Sequence, residues 1–143
     1  MDTTSQSAGI GRQRVTAALA AHGIKPTAQR IRIAELLLAR EQHLTAEQVI
    51  QALGREGTHV SKATVYNTLN LFADKGLLKA LCVDLERGQF DSNTRPHHHF
   101  HVEGTGELID VPPGAVEFAR LPALPSGTEA VGVEVVIRVR RQV

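Results

Sequence analysis

The chain has 143 residues, of which 42% are hydrophobic, and its formal net charge is +1 at pH 7. This length fits one domain or two small ones, and no apolar run approaches the roughly 20 residues that cross a bilayer. Because the first residues also lack the apolar core of a secretory signal, we expect a cytoplasmic protein without a membrane partner.

Basic side chains are concentrated near the start of the chain. Residues 1–32 contain five Lys or Arg, Lys25 and Arg30 among them, against one acid. A local basic surface suits contacts with phosphate, although a solvated helix face would have the same composition. Residues 1–11 are predicted to be disordered.

The first half of the chain carries the signals of four short helices, because apolar residues recur at helical spacing. Thr27 can cap the second helix, and Thr45 with Gln48 forms a capping box for the third. Gly23 and Gly76 stop the first and fourth helices. The predicted segments are residues 12–23, 28–40, 45–57 and 61–76.

The apolar pattern then changes from a period of 3.6 to a period of 2. Residues 77–92 are predicted to form two short strands around a Glu-Arg-Gly turn. Helices followed by a two-stranded hairpin are typical of a winged helix-turn-helix. The polar stretch 92–96 marks a domain boundary, so we predict an α+β protein that begins with a winged-helix DNA-binding domain over residues 1–91.

Residues 92–143 are predicted to form a small α/β dimerisation domain. The stretches "HHHFHVEG", "GELIDVP" and "EAVGVEVVIRVRRQ" have the pattern of strands, and "PGAVEFARLP" could hold a short helix. Three strands and a helix make a thin core that is too small to stand comfortably alone. We therefore expect a homodimer.

The fourth helix is the candidate for reading DNA, since the second helix of a helix-turn-helix enters the major groove. Ser61, Lys62 and Thr64 provide small or cationic donors at its first turn. Tyr66 and Asn67 follow on the predicted exposed side, while Val65, Leu69 and Phe72 are predicted to face inward. Asn can pair with adenine, and Tyr can pack on a thymine methyl or bind a phosphate.

A histidine cluster, "PHHHFH", occupies residues 96–101. On a strand, His97, His99 and His101 would share one face, and His98 would lie on the other. His99 and His101 would have Cα atoms roughly 6.5–7 Å apart, a spacing that lets two imidazoles converge on one ion. His97 could equally be an exposed neighbour. The cluster therefore predicts a metal site.

Further ligands can come from elsewhere in the chain. Iron(II) and manganese(II) also favour carboxylates and accept five or six ligands, and Asp91 and Asp110 can supply them. His43, at the start of the third helix, would tie the DNA-binding domain to the same ion. The single cysteine, Cys82, is expected to be a small buried strand residue, and one thiol excludes a cysteine-based structural zinc site.

Four stretches of the chain resemble, in order, the motifs of the ferric uptake regulator family. They are "GIKPTAQRIRIAELL", "HLTAEQVIQAL", "SKATVYNTLNLFADKGLL" and "HHHFHVEGTGELIDV". The resemblance covers roughly residues 13–140, and the combination of motifs is highly specific. It implies a dimeric, metal-responsive repressor of transcription that binds a double-stranded DNA operator.

The resemblance also implies roles for individual residues. Tyr66 and its neighbours would contact the operator, and Lys25 would reach toward the minor groove. Most members have Arg where this chain has Asn67, so base preference there is expected to differ. The regulatory metal site implied by the family pattern consists of His43, Asp91, His99, His101 and Asp110.

A second family site would use His98 and Glu117. Phe100 replaces its usual acid, so this site is expected to be weak or absent. Two Asp ligands resemble the peroxide-sensing branch, whereas loss of the family's C-x-x-C together with the histidine run resembles the iron response regulator branch, which has been linked to haem. The cofactor is expected to be iron(II) or manganese(II), with zinc possible in vitro and haem an alternative.

Two other classes of function are compatible with a histidine cluster. "HFHVEGTGE" has the H-x-H and Glu107 ligands of a cupin oxygenase, but a cupin needs about eight strands. A metal-storage protein would have no use for a winged helix. We therefore expect a regulator and not an enzyme, with the sign of the metal's effect on DNA binding left open.

Overall fold

The computed structural model describes the backbone of residues 3–84 and 87–142 and the side chains of residues 11–81 and 88–142. Two compact units divide the chain, Met1–Thr94 and Arg95–Val143. The division falls three residues after the predicted boundary, because Ser92 is bonded within the first unit. Its amide donates to the Gln42 carbonyl oxygen at 3.1 Å, and its Oγ accepts from the Gln42 amide at 3.0 Å.

The first unit contains four helices. They are α1 (Thr3–Ala21), α2 (Ala28–Leu38), α3 (Ala46–Arg55) and α4 (Lys62–Asp74). All four predicted helices are present, and α1 extends back to Thr3 through residues predicted to be disordered. Extending an existing helix costs far less than starting one, so the buried end of α1 can carry additional turns.

The helix ends follow the predicted chemistry. Thr27 Oγ1 accepts from the Arg30 amide at 3.3 Å, and Thr45 and Gln48 complete the capping box at the start of α3. After α1, Gly23 adopts φ 71°, which is open to glycine at little cost. The Ile24 amide then donates to the Leu19 carbonyl oxygen at 2.8 Å, the long bond of a Schellman ending.

The first unit also contains a three-stranded antiparallel sheet. Its strands are β1 (His43–Thr45), β2 (Lys79–Asp84) and β3 (Arg87–Asp91), in the order β1-β3-β2. The β2–β3 pair is the predicted wing, and the turn between its strands lies outside the described residues, as does the Cys82 side chain. Strand β1 was not predicted, and it places His43 directly opposite Asp91.

The second unit is a smaller sheet. It consists of β4 (His99–Val102), β5 (Leu108–Asp110) and β6 (Val136–Val139), in the order β5-β4-β6. Strand β4 pairs antiparallel with β5 and parallel with β6. The predicted helix within 113–122 does not form, and the described residues 95–142 contain no helix. Pro112, Pro113 and Pro122 restrict this segment, and its side chains are mostly exposed, so no buried face supports a helix.

The α+β winged-helix architecture predicted from the sequence is confirmed. The main hydrophobic core belongs to the first unit, where α1–α4 and the wing sheet enclose fully buried side chains such as Leu19, Ile33 and Phe72. None of the helices in the described part of the chain is long and apolar enough to span a bilayer.

Candidate metal centre and nucleic-acid interface

Helix α4 carries a buried face and a polar face, as predicted. Val65, Leu69 and Phe72 are each 0% exposed, whereas Lys62 and Asn67 are exposed. The helix is therefore anchored by its apolar stripe and offers its polar stripe to a ligand. A helix that enters the major groove needs both features, an apolar face that packs on its own domain and a polar face that contacts DNA.

The first turn of α4 is held by two hydroxyl groups. Ser61 Oγ accepts from the Thr64 amide at 3.2 Å and donates to Thr64 Oγ1 at 2.7 Å. This cap fixes where the helix begins, because it satisfies an amide that has no partner within the helix. Lys62 provides the positive charge in the first turn of α4.

Tyr66 is tied to the preceding helix. Its hydroxyl donates a short hydrogen bond to Glu47 Oε1 in the first turn of α3, and Lys62 Nζ lies 5.8 Å from the centre of the phenol ring. The hydrogen bond to Glu47 raises the pKa of Tyr66, and burial and the carboxylate charge act in the same direction. The phenol therefore stays neutral and oriented.

The basic residues predicted to meet DNA also lie in the first unit. Lys25 is exposed in the loop between α1 and α2, and Arg30 Nη1 donates to the Lys25 carbonyl oxygen at 2.9 Å. Arg30 also lines an open groove of about 530 Å³ between α2 and α4, together with Thr64 and Asn67. Arg30 thus connects the Lys25 loop to the groove beside the polar face of α4.

A histidine–aspartate pair lies on the wing sheet. His43 Nε2 is 3.0 Å from Asp91 Oδ2, and the Asp91 side chain is only 1% exposed. Asp91 Oδ1 in turn accepts from the Asn93 amide at 2.8 Å, which fixes the orientation of the carboxylate. A half-buried imidazole and a buried carboxylate at this separation can share a proton or two coordination positions of a cation.

A second cluster lies in the second unit and joins two histidines to Asp110. His97 Nε2 is 3.4 Å and His99 Nε2 is 3.5 Å from Asp110 Oδ1. The two imidazole rings have centroids 4.3 Å apart, and the β4–β5 register places His99 directly opposite Asp110. One ligand atom from each of the three residues lies within 4.8 Å of the others, which is the spacing that a coordinated cation requires.

His101 is not among these three residues. Both of its ring nitrogens are buried, and neither has a hydrogen-bond partner in the part of the chain that the structure describes. A neutral imidazole has one donor and one acceptor, and leaving them unpaired in the interior is costly. This cost favours a ligand for His101 from outside the described residues.

The two residues of the expected second site are not arranged for a metal. His98 Nδ1 accepts a hydrogen bond from the Val135 amide at 2.9 Å, so the lone pair of the neutral ring is already engaged. Its ring meets Phe118 edge-on at 5.7 Å, and Glu117 is exposed. Among the described residues, neither His98 nor Glu117 belongs to a group of three or more potential ligands.

Sequence reasoning missed Glu47 and left the role of His97 open. Glu47 lies 19 positions from Tyr66, so only the packing of α3 against α4 reveals the contact. His97 precedes β4, and the sequence left open whether it was a ligand or an exposed neighbour. Its position two residues before His99 was the available signal, since alternate residues of an extended chain share a face.

The model of the Ferric uptake regulator family matches residues 21–122. The peroxide-responsive repressor PerR of Staphylococcus aureus (strain Mu50 / ATCC 700699) is 37% identical over 94 residues, which are 66% of this chain and 64% of the repressor. The aligned part thus spans less than two thirds of that relative's length.

Solved structures resemble the whole fold. The ferric uptake regulator from Pseudomonas aeruginosa with manganese has a TM-score of 0.67 at 27% identity, over 89% of this chain and 97% of that one. The Vibrio cholerae ferric uptake regulator has a TM-score of 0.68 at 22% identity, over 88% and 98%. The family match covers more than half of the chain and includes both helix α4 and strand β4. The chain belongs to the ferric uptake regulator family.

Proposed function

We propose that this protein is a cytoplasmic, metal-responsive transcriptional repressor that binds operator DNA as a homodimer. One observation carries the proposal. The sheet that forms the wing of the winged helix also holds a histidine–aspartate pair, the half-buried His43 and the buried Asp91, at 3.0 Å. A DNA-binding module with ligand atoms built into its own wing sheet is suited to having its geometry set by a cation.

The proposed operator contacts come from the polar face of α4 and the basic residues beside it. Tyr66 and Asn67 would meet base edges, and Ser61, Lys62 and Thr64 would meet phosphates. Lys25 would reach toward the minor groove, with Arg30 holding its loop by the bond to the Lys25 carbonyl oxygen. Phosphate contacts of this kind supply affinity, and base contacts supply specificity.

The proposed regulatory site is the ligand set that the family pattern implies. The first unit offers His43 and Asp91, and the second offers His99 and Asp110, with His101 implied by the family pattern. Imidazole and carboxylate ligands fit iron(II) or manganese(II), and zinc can occupy such sites in vitro. The two buried nitrogens of His101 without a partner among the described residues support a ligand for that residue. Haem is the less supported alternative.

His97 is a further proposed ligand of the second unit. Its Nδ1 lies 2.5 Å from the Arg95 carbonyl oxygen, and a carbonyl only accepts, so Nδ1 carries the proton. Nε2 of the neutral ring therefore holds a lone pair, and this atom is directed at Asp110 Oδ1, 3.4 Å away. Fixing one ring nitrogen by a backbone carbonyl so that the other can bind a metal is the usual arrangement of histidine ligands.

By the family pattern, one divalent cation would take both the ligands of the wing sheet and those of the β4–β5 sheet. The ligands of the wing sheet would then transmit occupancy to the recognition helices of a dimer, whose spacing must match half-sites about one helical turn apart. Occupancy changes DNA affinity only through a difference in metal affinity between the two states. The structure of each unit is compatible with either sign of the effect.

A cupin-like enzyme is the rival from another class, and the strand arrangement argues against it. The described strands form two separate three-stranded sheets, not the double-sheet jelly roll of a cupin. Glu107, the carboxylate of that hypothesis, donates through its amide to Thr105 and bonds through its side chain to Arg141. The Glu107 side chain is thus engaged in an ion pair on the surface of the sheet.

Operator binding with and without metal tests the proposal. A duplex would be enriched from a random-sequence pool, once with the Mn(II)-loaded protein and once with the metal-free protein. Fluorescence anisotropy would then measure the affinity of each form. We expect the two forms to differ by about tenfold or more, the scale of a typical allosteric coupling. Equal affinities would contradict the switch, and failure to enrich any sequence would contradict the regulator.

Matched variants assign the effect to the site. His43→Ala should abolish the metal dependence of DNA binding, because it removes one of the two ligands of the wing sheet. His59→Ala removes an exposed histidine of the same unit that belongs to no ligand cluster. It should leave the metal dependence unchanged, so an equal loss in both variants would locate the effect elsewhere.

A further inference from the structure

The DNA-facing side of the first unit contains an acid where the proposed partner is a polyanion. Glu47 is exposed at the start of α3, and its Oε1 accepts the short hydrogen bond from the Tyr66 hydroxyl. Duplex DNA carries one negative charge per about 1.7 Å of its axis, so a carboxylate beside it lowers affinity. Glu47 must therefore contribute something other than attraction to DNA.

The contacts of Tyr66 indicate what that contribution is. The phenol is held at its tip by Glu47 and at its face by Lys62, whose Nζ lies 5.8 Å from the ring centre. Lys62 is four residues earlier on the same helix, so the two side chains stack along one face of α4. The remainder of the ring packs against the hydrophobic core.

Orienting a side chain before binding removes an entropic cost from the binding step. A hydroxyl committed to Glu47 is also less available as a donor to phosphate, which leaves the part of the ring edge that is not packed against the core for contact with a base. A thymine methyl is the base feature that such an apolar surface recognises. The carboxylate adds repulsion toward any backbone phosphate that approaches without this base contact.

We propose that Glu47 is a positioning residue that orients Tyr66 for base contact and weakens non-specific binding, so that it raises specificity at the expense of affinity. This inference rests on the proposed DNA-binding function. The chemistry of the partner is a duplex with a thymine-containing step opposite Tyr66. Glu47 itself does not read the base.

The contact can be tested without DNA, because Tyr66 is the only tyrosine and the chain has no tryptophan. Ultraviolet absorbance of the phenolate therefore reports Tyr66 alone during an alkaline titration. The pKa of Tyr66 is raised in the wild type by the Glu47 hydrogen bond. Glu47→Gln should bring it back toward that of free tyrosine, while Asp74→Asn, which removes an exposed acid at the other end of α4, should leave it unchanged. Equal midpoints in all three proteins would overturn the contact.

The specificity claim is tested with two duplexes, the enriched one and one of scrambled sequence, bound to the Mn(II)-loaded protein. Glu47→Gln should bind the scrambled duplex more tightly and should lower the ratio of specific to non-specific affinity by about 5- to 150-fold, the scale of one lost base contact. Tyr66→Phe should lower the same ratio, and the double variant should lose little more than either single variant.

The outcomes separate this inference from the proposed function. Equal changes of both affinities in Glu47→Gln and Asp74→Asn would mean that Glu47 acts only as a charge, and the positioning role would be wrong. Additive losses in the double variant would overturn it as well. A wild-type protein that binds both duplexes equally would contradict the proposed function itself, while the alkaline titration would still report whether the Glu47 contact exists.

Discussion

The two units of this chain bury their apolar side chains to very different extents. The main core cluster, from Val15 to Phe90, lies entirely in the first unit. In the second unit the buried hydrophobic residues are Val102, Leu108 and Val111. The large hydrophobic residues exposed in the described structure all belong to the second unit, and they are Ile109, Phe118, Leu121, Leu124, Val131, Val133, Val136 and Ile137.

This difference indicates which unit depends on a partner. A soluble chain rarely leaves so many large apolar side chains in water within about fifty residues unless they meet another surface. In the described sheet β6 is an edge strand, and edge strands readily pair with a second chain. The first unit thus buries its own apolar side chains, whereas the second leaves large apolar side chains exposed that the second copy of the proposed dimer would cover.

Two phenylalanines give the sharpest test of this contrast. Phe72 is 0% exposed in the first unit, and Phe118 is 43% exposed in the second. Phe72→Ala should lower the free energy of unfolding by about 3–5 kcal/mol, since it removes a fully buried ring and leaves a cavity. Urea denaturation would measure this loss, which should not vary with protein concentration.

Phe118→Ala is the matched comparison. Its effect should be small at low protein concentration and should grow as the concentration rises, because the ring would be buried only in the dimer. A large, concentration-independent loss in Phe118→Ala would contradict the contrast between the units.

The second prediction concerns the edge strand. Ile137 is 37% exposed on β6. In a twofold interface each substitution counts twice, so Ile137→Ala should weaken dimerisation by about 2–4 kcal/mol at 1–2 kcal/mol per copy. Sedimentation equilibrium would measure the dissociation constant. A wild-type protein that stays monomeric at all accessible concentrations would refute the dimer, and an unaltered constant in the variant would exclude β6 from the interface.

The same contrast explains how much of the fold was predictable. In the first unit, local signals and burial agree. Thr27 and Thr45 cap the helices that they were predicted to cap, and Gly23 ends α1 as predicted. In the second unit, the helix predicted within 113–122 does not form, because its apolar residues find no buried surface within the unit. Periodicity indicates a preference, and burial decides whether the preference is realised.

The candidate metal centre shows where sequence reasoning ends. Strand β1 is only three residues long, and it forms by pairing with β3 almost fifty residues later in the chain. The sequence around His43 therefore contains no local pattern that predicts its position opposite Asp91. The choice between His97 and His101 also depends on geometry. His97 gains a defined tautomer from the Arg95 carbonyl oxygen, whereas the buried nitrogens of His101 have no hydrogen-bond partner among the described residues.

The third prediction resolves that choice within the second unit. If His97 is a ligand, His97→Ala should raise the Mn(II) dissociation constant by about 10- to 100-fold or more, the loss seen even for residues that only support a ligand. His98→Ala is the control, because its Nδ1 is engaged by the Val135 amide, and it should leave the constant unchanged. Competition titration against a chelator would measure all of these variants.

His101→Leu completes the set, since it replaces an imidazole without a described partner by an apolar side chain of similar size. In the metal-free protein it should be neutral or stabilising by urea denaturation. If His101 is a ligand it should nevertheless weaken Mn(II) binding. A variant that loses stability in the absence of metal would mean that the imidazole has a structural partner.

The smallest expected effect is at the start of α3, where a cap joins β1 to the helix that carries Glu47. Thr45 ends β1, and its hydroxyl accepts from the Gln48 amide at 3.1 Å while Gln48 Oε1 accepts from the Thr45 amide at 2.8 Å. Thr45→Ala should cost about 1 kcal/mol of unfolding free energy by the same urea assay. Thr45→Ser keeps the hydroxyl and should recover most of the loss.

The cap also fixes the first turn of α3, which carries Glu47. Thr45→Ala should therefore shift the midpoint of the alkaline titration of Tyr66 in the same direction as Glu47→Gln, but by a smaller amount. An unchanged titration midpoint would mean that the packing of α3 against α4, and not its cap, holds the Glu47 carboxylate in place.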